Sequence, residues 1–326
     1  MSLAQEPNTM AELDLGGGVA PIPARRPRGR DGLIHGLLSN GKAVAGLIIL
    51  ALFAVIALLA PVLVPGDPTL IQGLGAQPPS AEHLLGTTAK GQDVLALNVW
   101  GARSSLFVGF VVGILATLVG LLVGLGSAYL GRTVDNLLSL VTNVFLLLPG
   151  LPLLVILAAF LPPGLGTVIL VLVITGWAGS ARVLRSQALS IRGKDFVSAA
   201  QVTGEGSLRI MFREMLPNMA SIVMSTLLAC IIFGIGAQAG LEFLGLGDIS
   251  TVSWGTNLYW ASNDGALLTG AWWVFVPPGL SIALVAFALA LVNYGVDETT
   301  NPRLRRPRRR VTAAAPTAIA RKEHAA

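Results

Sequence analysis

Apolar positions in this chain come in long uninterrupted blocks, unlike the short-period alternation of a soluble strand or surface helix. Ala43 to Val64 is a charge-free run of 22 residues, enough to cross about 30 Å of hydrocarbon at roughly 1.5 Å per residue. Ser105 to Leu130 is also free of charge, and its Gly109, Gly113, Gly120 and Gly124 form two small-xxx-small pairs through which a neighbouring helix can come close. Leu137 to Phe160 is a third span, interrupted at Pro149, Gly150 and Pro152, where a missing donor and a flexible residue are expected to bend or break it. Thr167 to about Gly179 with its flanks, Met219 to Gly240 and Trp273 to Tyr294 bring the count to six. Between the first two, Pro65 to about Arg103 carries four prolines and the charges Asp67, Glu82, Lys90 and Asp93. It is predicted as a loop outside lipid, with room for a short interfacial helix.

Positive charge orients these spans. With residues 1 to 42, 131 to 136, 181 to 217 and 295 to 326 in the cytosol, 20 of the 22 Lys and Arg lie inside, and only Lys90 and Arg103 lie on the outer side. The inner segments then net +9 and the outer ones −4. Both termini are therefore expected in the cytosol of a plasma or inner membrane. A chain that is 53% hydrophobic and 12% charged, with a mean hydropathy of +0.73, is no ordinary soluble domain. Its pI near 9.9 reflects basic residues flanking spans, so no nucleic-acid partner is implied. The single Cys230 cannot form an intramolecular disulfide, and His35, His83 and His324 have no metal-ligand spacing. Residues 1 to 32 lack the apolar run of a secretory signal and read as a disordered cytosolic tail. Residues 303 to 326 read as a basic cytosolic tail whose arginines, Arg303 to Arg310, suit anionic lipid head groups.

Hydropathy does not account for residues 187 to 217, a long cytosolic connection with a folded composition. Phe196, Val197, Ala199, Ala200, Val202, Leu208, Ile210, Met211 and Met215 alternate there with Lys194, Asp195, Gln201, Glu205, Arg209, Arg213 and Glu214. The pattern predicts short amphipathic helices broken at Gly204 and Gly206, lying either on the lipid surface or against a cytosolic partner.

Ser198-Ala199-Ala200, three residues, Gly204, then Ile210 and Leu216-Pro217 resembles the "EAA" loop of ABC importer permeases, and Arg209 to Asn218 looks especially like the dipeptide and oligopeptide branch. His83-Leu84-Leu85-Gly86-Thr87, Gly91-Gln92-Asp93-Val94 and Gly101 to Leu106 are similar to that branch's outer loop and second span. Leu244-Gly245-Leu246-Gly247, Ser253-Trp254-Gly255 and Asn301 to Arg305 match in kind and order. Ser198 stands where the family usually has Glu, and Glu214 where a His is common.

The resemblance implies an all-α polytopic protein of six transmembrane helices with the type I ABC importer permease fold. Residues 33 to 302 would form the permease domain, with an ATPase-coupling loop at 187–217 and an extracytoplasmic loop at 241–272. It further implies a second homologous permease, two cytosolic ABC ATPases and an extracytoplasmic binding protein that delivers di- or oligopeptides, with alternating access driven by ATP. Related systems carry nickel chelates and oligosaccharides, and a carrier or channel working alone is the reading from another class. Carried over by position, Ser198, Ala199, Ala200, Gly204, Arg209, Ile210, Arg213, Leu216 and Pro217 form the coupling loop, while Glu242, Gly245, Gly247 and Trp254 belong to a lid or binding-protein contact. Asn143, Pro149 and Gln238 are candidates for the path itself.

The chain offers no catalytic constellation: Gly-x-Ser-x-Gly, His-Glu-x-x-His and paired intramembrane carboxylates are absent from the sequence. Gly36 to Lys42 nearly matches a phosphate loop, but Ala43 supplies no hydroxyl for magnesium. The resemblance implies ATP and magnesium on partner subunits and no cofactor on this chain, and the missing phosphate loop agrees with that. Span centres free of Lys, Arg, Asp and Glu argue against proton coupling. In the outer loop, Glu242, Asp248 and Asp264 suggest an acidic mouth, and Trp254, Tyr259, Trp260 and Trp272 suggest anchors at the membrane interface.

Overall fold

The computed structural model describes residues 37–300, and of residues 299 and 300 only the backbone. The tails expected at 1–32 and 303–326, the motif at 301–305 and Gly36 lie outside the described residues.

Helix α1 (Gly41–Leu63) starts at Asn40, whose side chain accepts the Lys42 N–H at 3.0 Å, and stops short of Pro65. Helix α2 (Val94–Tyr129) corrects the expected loop to Arg103: it begins at Asp93, whose carboxylate accepts the Ala96 N–H at 3.0 Å. Its first turns pack partly against protein, with Val94, Ala96 and Leu97 buried, and half-buried Asn98 bonds Ser281 at 3.1 Å.

Helices α3 (Arg132–Leu147) and α4 (Gly150–Phe160) meet at 88°. The break falls where it is expected, and its cause is local: Leu148, preceding Pro149, is held extended at φ −68° and ψ 135° and cannot continue the helix. Helix α5 (Leu165–Arg192) runs past its apolar stretch, taking in the first residues of 187–217. Helix α6 (Asp195–Val202) is followed by a turn at 203–206 and by a helical segment, 207–218, whose middle, Ile210–Met215, is wound as a π-helix. Helices α7 (Ala220–Phe243), α8 (Trp254–Asn263) and α9 (Trp272–Thr300) complete the chain, α8 lying in the stretch expected to be loop.

Among the described residues, α1, α2, α5, α7 and α9 are each long and apolar enough to cross a membrane, and the α3–α4 pair makes six if it is one broken span. Two isolated bridges, Ile71 with Gln92 and Thr87 with Asp93, are the nearest approach to a strand in that part of the chain. The protein is all-α.

Helix α2 is the hub, touching α1, α3, α5, α7, α8 and α9. Its glycine pairs serve two neighbours: Gly109 and Gly113 lie against Ile235 and Ile231 of α7, while Gly120 and Gly124 lie against Ser180, Ala181 and Leu184 of α5. A β-carbon on Gly120 would run into the Ser180 hydroxyl and sit 2.9 Å from the Ala181 nitrogen, which is backbone and cannot swing away. Gly120→Leu is therefore expected to cost about 3 kcal/mol or more through overpacking. The chain should fail to accumulate in membranes, whereas Gly126→Ala, whose nearest new contact is an ordinary 3.6 Å, should accumulate normally; quantitative immunoblotting of membranes checks both.

Candidate functional site

The 195–218 segment folds as an elbow because one of its faces is apolar and the other is not. Val197, Ile210, Met211 and Met215 are buried in one cluster with Leu121, Leu125 and Ala128 of α2 and Leu184, Ala188 and Ile191 of α5. The Arg192 guanidinium, at the end of α5, donates to the Ala128 carbonyl of α2 at 2.8 Å, and Gln201 of the elbow donates to the Tyr129 hydroxyl at 3.1 Å, so the ends of the two long helices are joined and the elbow is tied to α2. Helix α6 stops in a Schellman motif: the Glu205 N–H reaches the Ala200 carbonyl and the Gly204 N–H the Gln201 carbonyl, both at 3.1 Å. Gly204 sits at the position that needs a left-handed backbone, φ +81°, and a β-carbon there would meet nothing within 4 Å. Its requirement is conformational and its surroundings are open.

The opposite side of the elbow is exposed. Ser198, Ala199, Arg209, Arg213 and Pro217 lie on it, Ala200 and Leu216 at its edge, and Ile210 underneath. Phe196, Val202, Leu208 and Phe212 also point outward, Val202 with 89% of its surface free and Leu208 with 66%. Arg209 is held 3.4 Å from Glu205. A rigidly seated segment thus presents apolar side chains and two arginines to whatever lies beyond it.

Asn143 and Pro149 are exposed on α3 and at the α3–α4 bend. The Asn143 side-chain oxygen accepts from Arg182 at 2.9 Å, and nearby Arg185 grips Asp135 through two 2.7 Å bonds. Asn143, Arg182 and Arg185, with Ser127, Ser139 and Thr142, line a polar cavity of about 290 Å³ between α2, α3 and α5. Gln238 is elsewhere. It is buried on α7 and donates to Glu242 at 2.9 Å, and Glu242 in turn accepts from the Ser253 hydroxyl.

Glu242 and Trp254 lie beneath the outer loop, not on its surface. Trp254 is fully buried, its indole N–H donating to the Asn98 carbonyl at 3.1 Å and its ring edge-on to Phe53, with centroids 5.7 Å apart. The expectation of a membrane-interface anchor fails at this residue because α1, α2 and α9 enclose it. Gly245 ends α7 in a second Schellman motif at φ +74°, and Gly247 is buried against the Glu242 side chain. The acidic mouth is also smaller than expected, since Glu242 is internal and Asp264 faces Lys90 at 3.8 Å. Asp248 remains, its carboxyl held below the usual carboxylate range by the Ser250 hydroxyl and then the Ser250 N–H.

Residues 116–306, more than half of the chain, match the family model described as the binding-protein-dependent transport system inner membrane component. The chain belongs to this family of permeases. Residues 34–85 of the permease match a second model, the N-terminal transmembrane domain of oligopeptide transport permease C. It is 35% identical over 275 residues to the dipeptide transport system permease protein DppC of Bacillus subtilis (strain 168), covering 83% of this chain and 84% of that one. It is 32% identical over 272 residues to the oligopeptide transport system permease protein OppC of the same organism, covering 82% and 88%. The permease therefore falls in the dipeptide and oligopeptide branch. Its fold resembles a chain of the MetNI methionine ABC transporter in inward-facing conformations, at a TM-score of 0.50 and 23% identity over 61% of this chain and 96% of that one. That likeness bears on the fold alone.

The charged pair Asp135–Arg185, the Arg182–Asn143 bond and the His83–Asp93 contact at 2.9 Å escaped the sequence reading. Asp135 in the first turn of a helix was the available signal for the first. Residues 10 or 50 positions apart carry no mark in one sequence that they meet.

Proposed function

We propose that the permease is one of two homologous subunits forming the path of an ATP-driven importer for di- or oligopeptides. Both its termini face the cytosol, and an extracytoplasmic binding protein delivers the peptide. Two cytosolic ATPases close on ATP and work the path by alternating access, and this chain itself performs no catalysis and holds no cofactor. The observation that carries the reading is the elbow: a segment anchored firmly on α2 and α5 through Ile210, Met211 and Met215, yet leaving Phe196, Val202, Leu208 and Phe212 uncovered. Exposed apolar side chains on a fixed mount, clear of the membrane-crossing helices, are what a separate subunit grips. Ser198, Ala199, Ala200, Gly204, Arg209, Arg213, Leu216 and Pro217 fall within this handle.

Positive charge on the cytosolic segments supports the orientation, and the dipeptide and oligopeptide permeases among the relatives support the cargo. Asn143 and Pro149, exposed at the α3–α4 bend, are assigned to the path. Gln238, Glu242, Gly245, Gly247 and Trp254 are assigned to the mount of the extracytoplasmic loop on which the binding protein docks.

Cysteine crosslinking tests this reading, because the one native thiol, Cys230, is buried. Val202→Cys and Leu208→Cys in the assembled importer are expected to crosslink to the ATPase and to resist impermeant thiol reagents applied to intact cells. Labelling from outside, or no ATPase adduct at either position, overturns it. Uptake of a labelled dipeptide by the reconstituted importer, dependent on ATP and binding protein, is the expected result for the cargo.

A further inference from the structure

A cavity of about 280 Å³ opens at the end of the bundle away from the elbow, between the 69–92 loop, residues 249–252, α8 and the start of α9. Apolar side chains such as Leu97, Ala261 and Val274 make up part of its wall, and two opposite charges, Lys90 and Asp264, stand on it beside Trp260. The three are set by local structure. Trp260 and Asp264 are one turn apart on α8, joined by the Asp264 N–H to the Trp260 carbonyl at 2.8 Å. The indole N–H is already committed to the Ile249 carbonyl at 3.1 Å, which leaves the ring face to the cavity side, and the Lys90 ammonium lies 3.2 Å from the ring centre. Lys90 itself stands on the tight turn closed by the Gly91 N–H to the Thr88 carbonyl at 2.9 Å.

The charges are close but not well joined. Lys90 and Asp264 are 3.8 Å apart, against 2.7 Å for Arg185 and Asp135 in the same molecule and about 2.7–2.9 Å for a charge-assisted hydrogen bond. Neighbouring polar groups on the wall are engaged elsewhere: the Gln92 amide donates to the Thr69 carbonyl at 2.9 Å and the Asn257 amide to the Leu97 carbonyl at 3.0 Å. The pocket therefore presents one loosely paired cation and anion side by side, the cation resting on the Trp260 ring.

We propose that this cavity binds a small zwitterion, a free amino acid or a dipeptide. The ligand's ammonium lies against Asp264, its carboxylate against Lys90, and a short side chain against the apolar wall. A simple cation or anion would satisfy one charge and leave its partner idle. The volume, just below the ~300–1,000 Å³ of ordinary small-molecule pockets, suits a ligand the size of a free amino acid or a dipeptide. The choice of peptide among zwitterions rests on the importer reading above.

Dialanine binding to the importer's membrane complex, freed of its soluble binding protein and held in phosphatidylcholine nanodiscs, tests the site by calorimetry. Saturable binding is expected, absent for N-acetyl-dialanine amide, which lacks both charges; this arm needs no variant. Asp264→Asn and Lys90→Gln are each expected to weaken dialanine about tenfold or more. Equal binding of dialanine and its blocked analogue, no saturable binding, or unchanged affinity in both variants overturns the site. If the complete importer carries dipeptides but the complex shows no saturable dialanine binding, the site fails alone. If dialanine binds while uptake of every peptide is absent, the importer reading fails and the site stands.

Discussion

Gly204→Arg is expected to reduce peptide uptake at least about tenfold while the permease still assembles at close to the normal amount. The two halves of that result have separate causes. In the folded chain, a non-glycine residue at φ +81° costs on the order of 1–2 kcal/mol locally. The rest of the side chain projects into open space, so no packing is lost. For coupling, the same open space is where the ATPase is proposed to sit, and a bulky cation there needs only about 1.4 kcal/mol of interference to cost tenfold. Gly204→Ala separates the causes because it brings the backbone strain without the bulk, and its uptake is expected to stay within about twofold of normal. Uptake by Gly204→Arg at the wild-type rate, in membranes holding equal amounts of permease, would remove residues 195–218 from the coupling interface.

How much of this could be read from residues alone depends on which solvent each segment meets. Spans facing lipid along their whole length announce themselves, and α1, the α3–α4 bend at Pro149 and the core of α7 lie where the apolar blocks put them. Residues 94–104 were hidden because a polar Asn98 and a charged Arg103 look like loop to any hydropathy argument, whereas Asn98 is half-buried and bonded to Ser281. Helix α8 was hidden for a different reason. Its capping box pairs Ser253 with Thr256 instead of with a Glu or Gln, so the usual signature is missing. The elbow's residues were legible as a motif, but its π-helical turn was not: nothing in Ile210 to Met215 prefers a wider winding, and the wider turn accompanies the burial of Ile210, Met211 and Met215 together against α2 and α5. That Gln238 is buried and bonded to Glu242 could be seen only in the structure.

Trp254→Ala is expected to destabilise the permease by about 3–5 kcal/mol, the range for truncating a buried large aromatic. The residue has no exposed surface, and its ring fills space against Phe53 of α1 in the cluster that also holds Ala102, Leu106, Ile235, Val285 and Leu289. Truncation also leaves the Asn98 carbonyl without its indole donor. The damage extends beyond one cavity, because Trp254 opens α8, and the backbone there is fastened to α2 by the Ser105 hydroxyl at 3.1 Å and by the Ser104 hydroxyl on the Val252 carbonyl at 2.5 Å. With the ring gone, the outer loop has lost its deepest anchor, and it should become sensitive to added protease on the outer face while the elbow remains protected. An anchor at the lipid interface would behave otherwise: its truncation would cost about a kcal/mol, vary with lipid composition and be repaired by tyrosine. Thermal unfolding of the detergent-solubilised complex distinguishes the two. A drop of several degrees that Trp254→Phe partly restores, the same in every added lipid composition, identifies a core residue. An unchanged midpoint for Trp254→Ala would return it to the membrane surface.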